Sequence, residues 1–335
     1  MTFTNHQFRL AARPVGAVKR SDFDYIAEPA RSPADNEVLA RTLYLSLDPA
    51  MRGWMNEGKS YVPPVQLGEV MRAGGIGQVI ESKHPSFQPG DYVFGTVGVQ
   101  EYATLNGKAF TKVDPALAAL PVHLGALGMP GMTAYFGLLD IGKPQPGQTV
   151  VVSGAAGAVG GVVGQIAKIK GCRAVGIAGG KEKCDFLTQT LGFDAAIDYK
   201  SADVKKALRQ HCPNGVDVYF DNVGGDILDV VLTQIARKAR IVICGAISQY
   251  NSTTGVKGPS NYLSLLVNRA SMTGMVVFDY ADRYVEATRE MAQWIKSGQL
   301  KTREDVVSGL ETFPDALQKL FKGENFGKLV LKVAD

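Results

Sequence analysis

The 335-residue sequence is 45% hydrophobic and 20% charged, with a formal net charge of +4 at pH 7. That is ordinary for a globular protein long enough for two cores, and the scattering of its lysines and arginines argues against a nucleic-acid face or an anionic-membrane patch. The first ten residues lack the apolar core of a signal peptide, no run is long enough for a membrane span, and Cys172, Cys184, Cys212 and Cys244 form no short-range pairing motif; a cytoplasmic protein with reduced thiols is expected.

Residues 1–125 read as mostly β. Glu37–Ser46 alternates apolar and polar side chains, and 73–81 and 91–95 continue the pattern around a Pro-Gly turn at 89–90. Glycines inside these strand-like runs predict a curved, barrel-like sheet with bulges. Leu47-Asp-Pro-Ala-Met-Arg-Gly53 reads as a strand passing into a helical turn, with Pro49 near the first helical position.

A helix is expected over 127–139, then a turn at 143–148. Next comes Thr149-Val-Val-Val-Ser-Gly-Ala-Ala-Gly-Ala-Val-Gly160, followed by an apolar helical pattern to Ile169. A β-branched run, glycines at 154, 157 and 160 and a helix make the strand–turn–helix corner that cradles a pyrophosphate. The spacing is G-x-x-G-x-x-G rather than G-x-G-x-x-G, and its context, more than the glycines, carries the reading. Strands at 173–178, 195–199, 216–222, 240–245 and 271–278 alternate with helices at 183–191 and 204–210. Such alternation predicts a doubly wound α/β Rossmann fold with a six-stranded parallel sheet. A helix at 284–295, another around 314–321 and an alternating run at 323–333 follow, the last returning to the N-terminal sheet. The expected division is 1–126 with 298–335 as one domain and 127–297 as the other.

The second Rossmann strand decides which dinucleotide is expected. It runs into Gly179-Gly-Lys-Glu-Lys183, where an NAD site usually carries an acid for the ribose 2′-hydroxyl. Glycines leave room for a 2′-phosphate and a lysine neutralises it, so NADPH is the expected cofactor, with Lys183 the candidate anchor. The other reading makes Lys181 and Lys183 solvated first-turn residues, although lysines there oppose the helix dipole.

Residues 154–164, the strand end at Lys183, Phe220-Asp-Asn-Val-Gly-Gly225, Cys244-Gly-Ala-Ile-Ser-Gln-Tyr-Asn251 and Gly323-Glu-Asn-Phe-Gly-Lys328 together resemble the zinc-independent medium-chain dehydrogenase/reductase superfamily. Within it the similarity is to the prostaglandin reductase, leukotriene B4 12-hydroxydehydrogenase and alkenal double-bond reductase group, with the bacterial curcumin reductases. The resemblance runs over nearly the whole chain. It implies a GroES-like β-barrel domain beside the Rossmann domain, a homodimer pairing the sixth strands of two sheets, and NADPH-dependent reduction of the C=C bond of α,β-unsaturated carbonyls.

That chemistry needs a hydrogen-bond donor for the carbonyl oxygen, where charge builds as hydride reaches the β-carbon. Tyr250, just beyond the fifth strand, is the candidate; a half-buried loop tyrosine is the alternative. By resemblance Ala156, Gly157, Ala158 and Val159 match the pyrophosphate loop. Gly179 belongs to the cofactor-binding strand end and Tyr199 matches a position near the 2′-phosphate, although Tyr199 would serve equally as a strand-end packing residue. Asn222, Cys244, Gly245, Ala246, Ile247, Ser248, Met275, Val276, Val277 and Asn325 match cofactor-contacting positions, Asn325 being also a plain turn residue. Met129 and Thr133 resemble residues beside the nicotinamide, with core packing and helix capping as alternatives. Asp48-Pro49-Ala50-Met51 departs from the group's Asp-Pro-Tyr-Met: Ala50 removes a ring and a hydroxyl, which puts substrate preference in doubt.

No metal site is expected, since Gly68-Glu69 stands where zinc-dependent relatives carry Gly-His-Glu and no cysteine cluster occurs. The absence of Tyr-x-x-x-Lys and G-x-S-x-G argues against short-chain dehydrogenase and hydrolase chemistry. Alternatives that remain are a quinone reductase of the same superfamily and a non-catalytic NADPH-binding protein.

Overall fold

The computed structural model describes residues 3–334, which divide into two compact units, 3–124 with 304–334 and 125–303. In the first unit β1 (Thr4–Leu10) and β2 (Phe23–Pro29) form an antiparallel pair. There follow β3 (Glu37–Ser46), the single helical turn α1 (Ala50–Trp54), β4 (Gly75–Ser82), β5 (Tyr92–Gly95), β6 (Tyr102–Asn106) and β7 (Phe110–Lys112). The register of β3 on β4 shifts twice, at Leu39/Ala40 and Thr42/Tyr44, the bulges that the interior glycines foretold.

The second unit opens with α2 (Met129–Phe136), which widens into a π-helical stretch over Gly137–Gly142. Then β8 (Thr149–Ser153), α3 (Gly160–Ile169), β9 (Arg173–Ala178), α4 (Lys181–Asp185), β10 (Ala195–Asp198), α5 (Val204–His211), β11 (Val216–Asp221), α6 (Gly225–Leu232), β12 (Ile235–Ile243), α7 (Leu263–Asn268), β13 (Ser271–Gly274) and α8 (Tyr284–Lys296) alternate along the chain. The six strands form a parallel sheet ordered β10-β9-β8-β11-β12-β13. Every residue of the central β8 is buried, which is why its composition is β-branched on both faces. Val151 packs with Val175, Tyr219, Leu208 and Val231 on the α5–α6 face, while the equally buried Val150 and Val152 point the other way.

Two strand boundaries depart from expectation. β12 begins at Ile235 rather than 240; exposed Arg237 and Lys238 interrupt its apolar pattern, and Lys238 adopts a left-handed φ of 63°. The sixth strand stops at Gly274 instead of running to 278. Met275 donates one more N–H to the O of Ile243 (3.0 Å), the last residue of β12. The chain then turns into a 3₁₀ stretch over Val277–Arg283, with Met275 and Val277 buried.

The C-terminal segment, β14 (Glu304–Ser308), α9 (Phe313–Lys322) and β15 (Lys328–Lys332), rejoins the first unit. β15 pairs antiparallel with β3 and gives a sheet ordered β14-β15-β3-β4-β5-β7, with β6 also on β3. Phe313 and Leu317 of α9 join Phe8, Leu45, Met51 and Leu331 in its core.

Candidate active site

The glycine corner sits between β8 and α3. Gly154 has a left-handed φ of 58°, and a Cβ on Gly160 would lie 2.4 Å from Gly154 O; only glycines allow the helix to start this close to the strand end. The N–H groups of Ala156, Ala158 and Val159 lie on this loop at the N-terminus of α3. Converging donors at a helix N-terminus suit an anion, and the loop fits a pyrophosphate on that ground.

β9 ends at Ala178 and is followed by Gly179 and Gly180 rather than by an acid. Asp198, at the end of β10, is spent on the turn itself: Oδ1 accepts from the N–H groups of Gly180 (2.7 Å) and Lys200 (3.0 Å), and Oδ2 from Ser201 Oγ (2.7 Å). The Gly180 N–H, more than any other group, holds its carboxyl below the usual range. A Cβ on Gly179 would meet Tyr199 Oη and Lys200 Cε, each at 2.9 Å, so both side chains fold over that glycine. Lys181, exposed, is ion-paired with Asp185 at 2.5 Å; Lys183, half-buried, sits on the same first turn of α4. Lys200 was not singled out from the sequence; its place directly after Tyr199 was the available signal.

Beyond β12 the chain is stitched to the end of β11. Cys244 and Gly245 donate to Asp221 O (2.9 and 3.1 Å), Ile247 to Asn222 O (3.3 Å) and Ser248 to Val223 O (3.2 Å). Desolvation and the Asp221 carboxylate push the Cys244 thiol up to about 12, so it stays protonated and is no nucleophile at neutral pH. Tyr250 folds back over this segment: its oxygen accepts the Ala246 N–H at 3.2 Å and lies 2.9 Å from where a Gly245 Cβ would be. The carboxyl rim of the sheet thus carries Asn222, residues 244–248 and Tyr250 together.

Other candidates lie elsewhere in the same unit. Thr133 is buried and donates to Met129 O (2.8 Å), a bond within α2; Met129 begins that helix. Met275, Val276 and Val277 follow the sixth strand instead of lying on it. Ala50 and Asn325 belong to the first unit. There Lys328 Nζ, 2% exposed, donates to Asp48 Oδ1 and Leu47 O, both at 2.8 Å, and so ties the strand after Asn325 to the turn before Ala50. Burial lowers the Lys328 pKa and the Asp48 charge opposes that shift. Asn325 Nδ2 donates to Gly327 O (3.1 Å), the turn role that its sequence context also allowed.

Residues 6–113 match the family model described as the N-terminal domain of oxidoreductase, and residues 158–297 the one described as zinc-binding dehydrogenase. The NADPH-dependent curcumin reductase of Escherichia coli is 44% identical over 98% of this chain and 97% of its own. The chain belongs to the medium-chain dehydrogenase/reductase superfamily. Within that superfamily it falls with the curcumin, alkenal and prostaglandin reductases. The NADP(+)-dependent 2-alkenal reductase of Nicotiana tabacum is 42% identical over 99% of this chain and 98% of its own. CurA from Vibrio vulnificus, solved in complex with NADPH, superposes with a TM-score of 0.93 at 46% identity, covering 98% of this chain and 99% of that one. Although one superfamily model is described by zinc, among the described residues no group of three or more His, Cys, Asp or Glu could hold a metal ion. Nor is any described helix long and apolar enough to cross a membrane.

Proposed function

We propose that this NADPH-dependent oxidoreductase reduces the C=C bond of α,β-unsaturated aldehydes and ketones. The observation that carries the reading is the Tyr250 hydroxyl, held on the Ala246 N–H at the carboxyl rim of the sheet. NADPH, when bound, supplies the hydride. The N–H groups of Ala156, Ala158 and Val159 would hold its pyrophosphate, and Lys183 and Tyr199 its 2′-phosphate. Tyr250 donates a hydrogen bond to the carbonyl oxygen as the β-carbon gains hydride, which stabilises the enolate, and protonation at the α-carbon completes the saturated product.

A panel of trans-2-alkenals, alkenones and naphthoquinones, followed by loss of NADPH absorbance, tests this. Turnover of the alkenals and alkenones to saturated carbonyls is expected. Turnover of quinones alone would make the protein a quinone reductase, and tight NADPH binding without any turnover would make it a non-catalytic binder.

Gly179→Ala probes the phosphate end. Its Cβ would displace the Tyr199 hydroxyl and the Lys200 stem, both flexible ends, so the cost is modest. NADPH affinity should fall about 3- to 10-fold, roughly 1 kcal/mol, with NADH affinity unchanged; fluorescence titration with both nucleotides reads it.

The assembly we propose is a homodimer, in the reducing cytoplasm to which its four free cysteines are suited. Supporting it, β13 is an edge strand with Ser271, Thr273 and Gly274 exposed, and Leu266 and Val267 of α7 beside it are 74% and 66% exposed. An uncovered edge with apolar neighbours favours pairing. Leu266→Asp combined with Val267→Asp should shift the species seen by light scattering from dimer to monomer; a wild-type monomer would refute the assembly.

A further inference from the structure

Beneath the loop joining β11 to α6 lies a polar network that the reduction chemistry does not by itself require. Asp221 ends β11 and is 1% exposed. Its Oδ1 accepts from four donors: Ser153 Oγ and Tyr219 Oη, each at 2.8 Å, and the N–H groups of Val223 and Gly224, each at 3.0 Å. Oδ2 is equally buried and, among the described residues, has no partner. A buried acceptor left unsatisfied costs free energy, so an arrangement that loads one oxygen and strands the other is poorly explained by stability alone.

The loaded oxygen controls Asn222. Ser153 Oγ, which donates its hydrogen bond to Asp221, accepts the Asn222 N–H at 2.9 Å, and the Ser153 carbonyl accepts from Asn222 Nδ2 at 2.7 Å. A backbone carbonyl can only accept, so the amide group turned towards Ser153 is the NH₂. The Asn222 carbonyl oxygen is left as an acceptor at the rim, over the strand that begins the second mononucleotide-binding half of the sheet.

We propose that Asp221 is a positioning residue that locks Asn222 with its carbonyl oxygen towards the nicotinamide half of bound NADPH, where it accepts from a hydrogen-bond donor of the cofactor. The donors there are a ribose hydroxyl and the carboxamide NH₂, and they share this chemistry. The proposal rests on NADPH lying along this rim.

The test is a double-mutant cycle on NADPH affinity, read by fluorescence titration of the full-length protein without substrate. Asn222→Ala and Asp221→Asn should each weaken binding about tenfold, and the double variant should also weaken it about tenfold, because Asp221 acts through Asn222. A product near a hundredfold would show that Asp221 acts independently and would overturn the proposal, as would an unchanged Asn222→Ala. Should Asp221→Asn fail to fold in a thermal melt, Ser153→Ala takes its place in the cycle with the same criterion. With the 3-acetylpyridine analogue of NADPH, which lacks the amide NH₂, a retained Asn222→Ala penalty supports a ribose hydroxyl as the donor and a vanished one supports the carboxamide. Wild-type protein that fails to bind NADPH removes the cofactor reading itself; wild-type binding with an indifferent Asn222→Ala removes only the positioning role.

Discussion

Tyr250→Phe is expected to lower kcat on an alkenone by about 10- to 1,000-fold while leaving NADPH affinity unchanged. The ring survives the substitution, so packing over Gly245 is kept, and only the hydroxyl is lost. That oxygen accepts the Ala246 N–H at 3.2 Å. Accepting from the backbone makes the phenol a better donor, since adjacent hydrogen bonds polarise one another. The enolate oxygen carries more charge than the ground-state carbonyl, so the lost bond falls on kcat more than on KM. Steady-state kinetics with an alkenone, beside a nucleotide titration, separate the two. Undiminished turnover would assign the donor to water or to a ribose hydroxyl.

Lys183→Ala should weaken NADPH binding by about ten- to a hundred-fold, roughly 1.5–3 kcal/mol, and leave NADH binding nearly unchanged. Lys183 is half-buried on the first turn of α4 whereas Lys181 is exposed, which favours Lys183 as the anchor. The acid nearest the turn, Asp198, is fixed by the Gly180 and Lys200 N–H groups and by Ser201, so it is held away from the role an NAD enzyme gives such a carboxylate. Titration with both nucleotides decides the matter: an unchanged NADPH/NADH preference would reduce Lys183 to a solvated helix residue.

The parts of the fold most visible in the amino-acid order were those where local chemistry and tertiary demand coincide. β8 is apolar because neighbours cover both its faces, and Gly154 and Gly160 are glycine because backbone approaches backbone there. Periodicity was less informative where burial was uneven. Arg237 and Lys238 hid the first half of β12, and the apolar run 275–278 looked like continued strand although its partner had ended at Ile243. β14 escaped notice because its Glu304 and Asp305 carry little apolar signal at a sheet edge.

Site residues divide along the same line. Residue type and spacing were enough to single out the glycine corner, Lys183 and, through family resemblance, Tyr250, because phosphate cradles and proton donors need particular groups at particular strand ends. Nothing in the linear order says that Asp221 loads a single oxygen with four donors, that the Asn222 amide turns its NH₂ inward, or that Asp198 is consumed by a turn. Those facts depend on hydrogen bonds between residues as far apart as 69 positions, and a hydrogen bond exists only where folding has brought its donor and acceptor within about 3 Å in the right orientation.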